Sequence, residues 1–267
     1  MCRLLGVIAN KPVDLKFSLE CFKNFAKRNP DGWGIGWYEE KGTAKVFKQR
    51  LSAVAEESKL PILSKEVRSK IIIAHVRKRT QGNASEKNSH PFQHKNWIFA
   101  HNGSVDKNYL WELLNDNHRN AIKGETDSEV YFHWILQCVK EEENVENGLR
   151  KAIEHVVKGS YSKGSYSRYT GLNFLLSDGK KLYAFRYSSH SKNYYALFEL
   201  KREPTTSGPM ELLSKETASL IRSKSLKREK SILVCSEKLT EEEWKSIKLG
   251  NLLVINPDLN VREVNMI

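Results

Sequence analysis

Apolar positions follow two rhythms along this chain. Nearly unbroken apolar runs at 3–9, 71–76 and 97–100 read as buried strands, and 71–76 has the composition of a strand covered on both faces. Runs at 33–39 and 44–49, separated by a Lys41-Gly42 turn, read as two more strands. Apolar spacings of three and four predict helices over 16–27, 52–66, 107–119, 127–142 and 146–158. Beyond 170 the chain alternates short strands with turns, at 171–177, 181–187, 194–201, 231–235 and 252–255. Asp178-Gly179 marks a tight hairpin there. Polar stretches rich in Gly, Asn and Ser at 78–96, and in Gly, Ser and Tyr at 159–169, read as loops. The first is long enough to suggest a function. Strands, then helices, then strands predict two stacked sheets with helices outside, in one domain over 1–267.

Composition narrows the class. With 39% hydrophobic and 28% charged residues, disorder of the whole chain is excluded. No apolar run approaches a membrane span, and the start does not read as a secretory leader, so a cytoplasmic protein is expected. The net charge of +12 would suit an acidic partner or nucleic acid. However, the basic residues are dispersed. The densest run, 224–230, reads as a solvated connector, and no nucleic-acid motif accompanies it. A basic surface suited to an anionic substrate is the better reading. The four cysteines match neither a zinc motif nor a disulfide framework. Cys21, Cys138 and Cys235 fall on apolar faces or strands and read as core residues.

Cys2 is different because of its position. Removal of Met1 would put its thiol and a free α-amine on one residue. The unperturbed values are ~8 for the amine and ~8.5 for the thiol, so the amine can take the thiol proton near neutral pH. Four further features follow in order: Asp31-Gly32-Trp33-Gly34-Ile35-Gly36; His75-Val76-Arg77 with Thr80 and Gly82; His90-Pro91-Phe92 with Ala100-His101-Asn102-Gly103; and Glu125-Thr126-Asp127-Ser128-Glu129. In this order and at these intervals, residues 2–130 resemble the class II glutamine amidotransferases, N-terminal nucleophile hydrolases. The layout is closest to the small stand-alone members without a fused synthase.

The resemblance implies an α+β fold, a four-layer αββα sandwich of two antiparallel sheets between helical layers. It implies that Cys2 is the nucleophile, and that the Asn102 side-chain amide and the Gly103 N–H form the oxyanion pair. Arg77 would bind the α-carboxylate of glutamine, which suits a planar guanidinium fork. Asp127 would bind the α-ammonium, and Thr80 and Gly82 would lie in a loop that closes over the substrate. Gln81 stands between them where several relatives carry a histidine. Asp31, Gly32 and Trp33 would shape the pocket floor, and His101 would stand behind the oxyanion pair. The implied cycle runs through a γ-glutamyl thioester, with no cofactor and no metal.

Residue by residue, plainer readings compete. Asn102-Gly103 is also a turn after a strand, Arg77 a strand-end surface arginine, and Asp127 a first-turn helix acid with Thr126 as cap. A zinc site built from His75, His90, His94 and His101 is a rival, though the spacing fits no zinc signature. A catalytically silent basic binding protein is another. Within the favoured class, the substrate is glutamine or another γ-glutamyl compound, and ammonia is either released or passed to a separate synthase subunit.

Overall fold

The computed structural model describes residues 2–14, 24–79, 81–159, 169–189, 194–203, 210–213, 220–223 and 230–267. Cys21, Thr80, most of the predicted helix 16–27, most of the predicted loop 159–169 and most of the basic run 224–230 lie outside them.

Two antiparallel sheets stack face to face. The first contains β1 (Arg3–Asp14), β2 (Trp33–Tyr38), β3 (Ala44–Gln49), β4 (Arg68–Val76), β9 (Phe198–Arg202), β12 (Ser231–Cys235) and β13 (Lys245–Ser246), in the order β13-β9-β12-β1-β4-β2-β3. The second contains β5 (Phe92–His94), β6 (Trp97–Val105), β7 (Tyr169–Ser177), β8 (Leu182–Arg186), β14 (Asn251–Ile255) and β15 (Val261–Asn265), in the order β15-β14-β8-β7-β6-β5. A separate hairpin joins β10 (Met210–Leu213) to β11 (Leu220–Ser223).

Period-two alternation sorts the side chains into layers. In β4, Ile71 and Ile73 face the inter-sheet core with Ile98, Leu175 and Leu253 from the second sheet. Ile72 and Ala74 face the opposite way, with Leu60, Leu239 and Trp244. The strand is buried on both faces, as its unbroken apolar run predicts. Each such Ile or Leu contributes roughly 1.5–3 kcal/mol on burial.

The outer face of the second sheet packs on α4 (Asp127–Glu142) and α5 (Val145–Gly159), through Val130, Tyr131, Phe132, Leu149 and Ile153. The helical cover on the first sheet is thinner among the described residues: α1 (Leu60–Glu66) and a 3-10 turn at Asn24–Lys27. The order helix, sheet, sheet, helix matches the expected sandwich. No described helix is long and apolar enough to cross a membrane.

Several boundaries differ from expectation. The predicted helix 52–66 forms only from Leu60, with Pro61 in its first turn. Before it, the Ser52 and Ser58 hydroxyls accept from the nearby Val54 and Leu60 N–H groups, which competes with helix. The predicted helix 107–119 is two, α2 (Lys107–Leu113) and α3 (Asp116–Ala121). Asp106 caps the first through Tyr109 N–H and Asn115 caps the second through His118 N–H, so the chain restarts at Asn115. Residues 194 and 195 form a turn before β9 rather than part of it.

Candidate active site

Arg3 pairs with Val76 across β1 and β4, which lays Cys2 beside Lys78. The Cys2 Sγ accepts from the Lys78 N–H at 3.3 Å and donates to the Lys78 carbonyl at 3.3 Å. From the other sheet, Asn102 Nδ2 donates to the Cys2 carbonyl at 2.9 Å. The two sheets therefore meet at this cysteine. Burial pushes the thiol pKa up, while the Lys78 backbone and the Arg77 charge pull it down. The residue remains part-exposed.

Asn102 and Gly103 do not form the turn that Asn-Gly suggests. β6 continues through them to Val105, with Asn102 opposite Asn173 and Gly103 opposite Leu172 in β7. Gly103 has φ +152°, and a Cβ there would lie 1.9 Å from the Gly171 carbonyl oxygen. Only glycine tolerates that conformation and that approach together.

Arg77 is buried rather than at the surface, at 3% exposure. Its fork is engaged by the loop that follows. Nη1 donates to the Asn83 carbonyl at 3.0 Å and Nη2 to the Gln81 carbonyl at 2.7 Å. Gly82, between them, has φ +69°. Asn88, fully buried, ties this loop to α4 by donating to Asn83 Oδ1 and accepting from the Glu125 N–H.

The Asp31-Gly32-Trp33 motif divides in two. Asp31 N–H donates to the Arg77 carbonyl and Arg77 N–H to the Gly32 carbonyl, while the Asp31 carboxylate accepts from Arg79 N–H at 2.9 Å. These two residues clamp the Arg77 backbone. Trp33 points away, into the outer core of the first sheet.

Asp127 opens α4, with Thr126 as N-cap accepting from Glu129 N–H. Its carboxylate is buried at 3% exposure. Oδ2 accepts from Val105 N–H at 2.9 Å and Oδ1 from Ser128 N–H at 2.9 Å. The helix-start reading holds, and the Asp127 charge, like that of Arg77, acts on the Cys2 thiol.

The histidines divide into separate groups. His75 and His90 pack ring against ring, tilted by 37° with centroids 4.3 Å apart, and none of their four ring nitrogens has a hydrogen-bond partner among the described residues. His94 instead packs with His118 and His133. Among the described residues, no three His, Cys, Asp or Glu side chains are arranged to hold a metal ion.

The region from β7 to Tyr195 also contributes, without any motif. The Tyr195 ring covers Gly171, whose added Cβ would meet it at 3.0 Å. The Tyr195 carbonyl accepts from Asn173 Nδ2 and Arg186 Nε, and its hydroxyl lies 3.1 Å from Thr170 Oγ1. Pattern reading had no signal for these residues, because their role is to hold backbone and ring positions.

Comparison with known proteins bears on the same region. A family model described as glutamine amidotransferases class-II matches residues 1–264. The chain is 31% identical over 261 residues to Uncharacterized protein MJ1515 of Methanocaldococcus jannaschii, covering 95% of this chain and 69% of that one. It is 29% identical over 262 residues to the Escherichia coli protein named Putative glutamine amidotransferase YafJ, covering 94% and 95%. Among solved structures, a glutamine aminotransferase class-II domain protein from Silicibacter pomeroyi superposes over 100% of both chains, with TM-score 0.66 and 21% identity.

Proposed function

Because the chain belongs to the class II glutamine amidotransferases, we propose that it cleaves the γ-amide of glutamine or a related γ-glutamyl compound through a thioester on Cys2. The observation that supports this reading is the meeting of Cys2 with the Asn102 amide and with the Lys78 backbone next to Arg77, where the Arg77 and Asp127 charges act on the thiol. Arg77 and Asp127 are complementary to the two charges of a free amino-acid end. Buried charges of this kind favour a substrate that supplies both partners.

The environment of the thiol defines the chemistry. Burial keeps it protonated at neutral pH, and its hydrogen bonds among the described residues go to Lys78 backbone rather than to a histidine or carboxylate. A base must come from elsewhere, and the α-amine of Cys2 itself is the nearest group able to serve. A cleavage that leaves Cys2 with a free α-amine therefore precedes activity.

The thiolate attacks the amide carbon, and the oxyanion is met by Asn102 Nδ2 and Gly103 N–H. Each such donor stabilises the transition state by ~3 kcal/mol. Collapse expels ammonia or an amine, protonated by the Cys2 ammonium. The same amine then activates the water that releases glutamate.

Arg77 adds a coupling step. Its two donors now serve neutral loop carbonyls. A substrate carboxylate is the stronger acceptor, since charge-assisted bonds are about twice as strong as neutral ones. Substrate binding thus releases the 81–83 backbone to re-form around the ligand.

The test is a turnover screen of glutamine and γ-glutamyl amides and peptides, with Cys2→Ala beside the wild type and intact mass on both. The expected result is loss of at least about 10⁴-fold in the variant, and a wild-type mass lacking Met1. Full turnover by Cys2→Ala would overturn the mechanism. Selectivity for a γ-glutamyl peptide over glutamine would identify the substrate as that compound. Retention on nucleic acid with no turnover of any γ-glutamyl compound would favour a silent binding protein.

A further inference from the structure

We infer that His101 is a positioning residue for this reaction, tying the Gly103 amide of the oxyanion pair to the Asp127 end of α4. The inference rests on the amidohydrolase reading above. Side chains alternate along β6. Asn102 reaches Cys2, and His101 leaves by the opposite face toward α4 and β7.

Both ring nitrogens of His101 are engaged. Nε2 lies 3.0 Å from the Gly171 carbonyl oxygen and Nδ1 lies 2.9 Å from Ser128 Oγ. A carbonyl can only accept, so Nε2 carries the proton. In the neutral ring Nδ1 then accepts the single Ser128 hydroxyl hydrogen, at 2.9 Å, in preference to Asp127 Oδ1, which lies 3.4 Å from that oxygen. Burial lowers the His101 pKa, partly offset by Asp127 and the Gly171 carbonyl. The ring is thus held neutral, as one tautomer, with a single orientation.

Each end of that ring touches a functional group through one intermediary. Gly171, which accepts the Nε2–H hydrogen bond, is the carbonyl against which Gly103 lies with no room for a Cβ. Moving that carbonyl moves the strand segment that presents the Gly103 N–H. Ser128, which donates to Nδ1, directs its own backbone N–H to Asp127 Oδ1. One imidazole therefore sets the distance between the oxyanion donor and the carboxylate that would read the substrate ammonium. A displacement of about 1 Å in such a frame costs about 10²-fold in rate, with little effect on binding.

The test combines nitrogen-15 NMR of the wild-type ring with kinetics of His101→Ala and His101→Gln. The glutamine side chain offers one donor and one acceptor on a single carbon, as the imidazole does across its own ring carbon. The spectrum is expected to show the Nε2–H tautomer, unprotonated through mild acid. His101→Ala is expected to lower kcat by about 10²-fold and change KM by less than about threefold. His101→Gln is expected to recover most of that loss at similar thermal stability.

Equal losses in both folded variants, or kcat unchanged in His101→Ala, would overturn the inference. So would an Nδ1–H tautomer. The spectrum is read without substrate, so it decides the hydrogen-bond assignment whatever the turnover assay gives. A wild type inactive on every γ-glutamyl compound would instead overturn the amidohydrolase reading.

Discussion

The candidate site has two walls of different character. One, from residues 2–130, brings functional groups: the Cys2 thiol, the Arg77 fork, the Asn102 amide and the Asp127 carboxylate. The other, from residues 169–189 and 194–195, brings support: a carbonyl at Gly171, a ring at Tyr195, and the Asn173 and Arg186 donors that anchor it. The first wall depends on particular side-chain chemistry, so its residues stand out in a sequence. The second depends on shape and backbone position, which many residue combinations supply. If this division is right, substitutions of the functional side chains in the first wall change turnover out of proportion to stability. Those in the second change both modestly and together.

The sharpest test sets two glycines against each other, one from each wall, in direct contact. Gly103→Ala must place a Cβ 1.9 Å from the Gly171 oxygen at φ +152°. We expect a loss of at least about 3 kcal/mol of stability and about 10²-fold or more in turnover. Gly171→Ala meets the Tyr195 ring first, at 3.0–3.1 Å. A loss of about 1–2 kcal/mol is expected there. Thermal melts and kcat on the two purified variants check this. Greater damage from Gly171→Ala would reverse the assignment of the walls.

The next effect belongs to the first wall alone. Arg77→Lys keeps the charge but loses the fork that now holds the Gln81 and Asn83 carbonyls. KM for a γ-glutamyl substrate is expected to rise by about 10–100-fold, with the melting temperature nearly unchanged. A large drop in melting temperature with KM preserved would make Arg77 a loop anchor only.

Arg77 also shows how far the sequence could be read. The strand before it, the strands 44–49 and 231–235 and the helix 127–142 with its Thr126 cap were visible as patterns. The burial of its guanidinium was not, because that depends on carbonyls whose orientation no side chain announces. Asn102-Gly103 misled for a related reason. The pair looks like a turn, but a neighbouring carbonyl from a strand near 170 keeps it in a strand. Likewise Trp33 sits in a motif beside Asp31 yet faces the outer core, because alternation in β2 turns it away.

Buried imidazoles give the first wall an acid sensitivity of its own. Burial, with Arg77 and His101 adding to it, pushes the His75 pKa down to about 3, and His90 is also held well below its usual value. The unfolded chain binds protons on these rings near pH ~6.5 and the folded chain does not. Their contribution to stability is therefore complete above that pH and is lost as pH falls toward about 3. The slope is ~1.4 kcal/mol per pH unit for each histidine. Urea midpoints between pH ~7.5 and ~5 should fall with acid, and His75→Phe should make that fall shallower. An unchanged slope in the variant would show that His75 is protonated in the fold.

The smallest effect expected is the one most able to break the comparison. Tyr195→Phe removes a hydroxyl that lies 3.1 Å from Thr170 Oγ1 and leaves the ring over Gly171 in place. If the second wall acts by packing, stability should drop by only about 0.5–1 kcal/mol, and kcat should stay within about threefold. Tyr195→Ala, which removes the ring as well, should cost about 3 kcal/mol or more. Yet this phenol is not electrostatically isolated from the site. Burial raises its pKa, and Cys2 and Asp127 act on it in the same direction. A loss of about 10²-fold in kcat for Tyr195→Phe, at unchanged melting temperature, would mean that the hydroxyl meets the substrate. The second wall would then carry chemistry as well as support, and the absence of a motif there would reflect only that one hydroxyl on a supported ring leaves no pattern in a sequence.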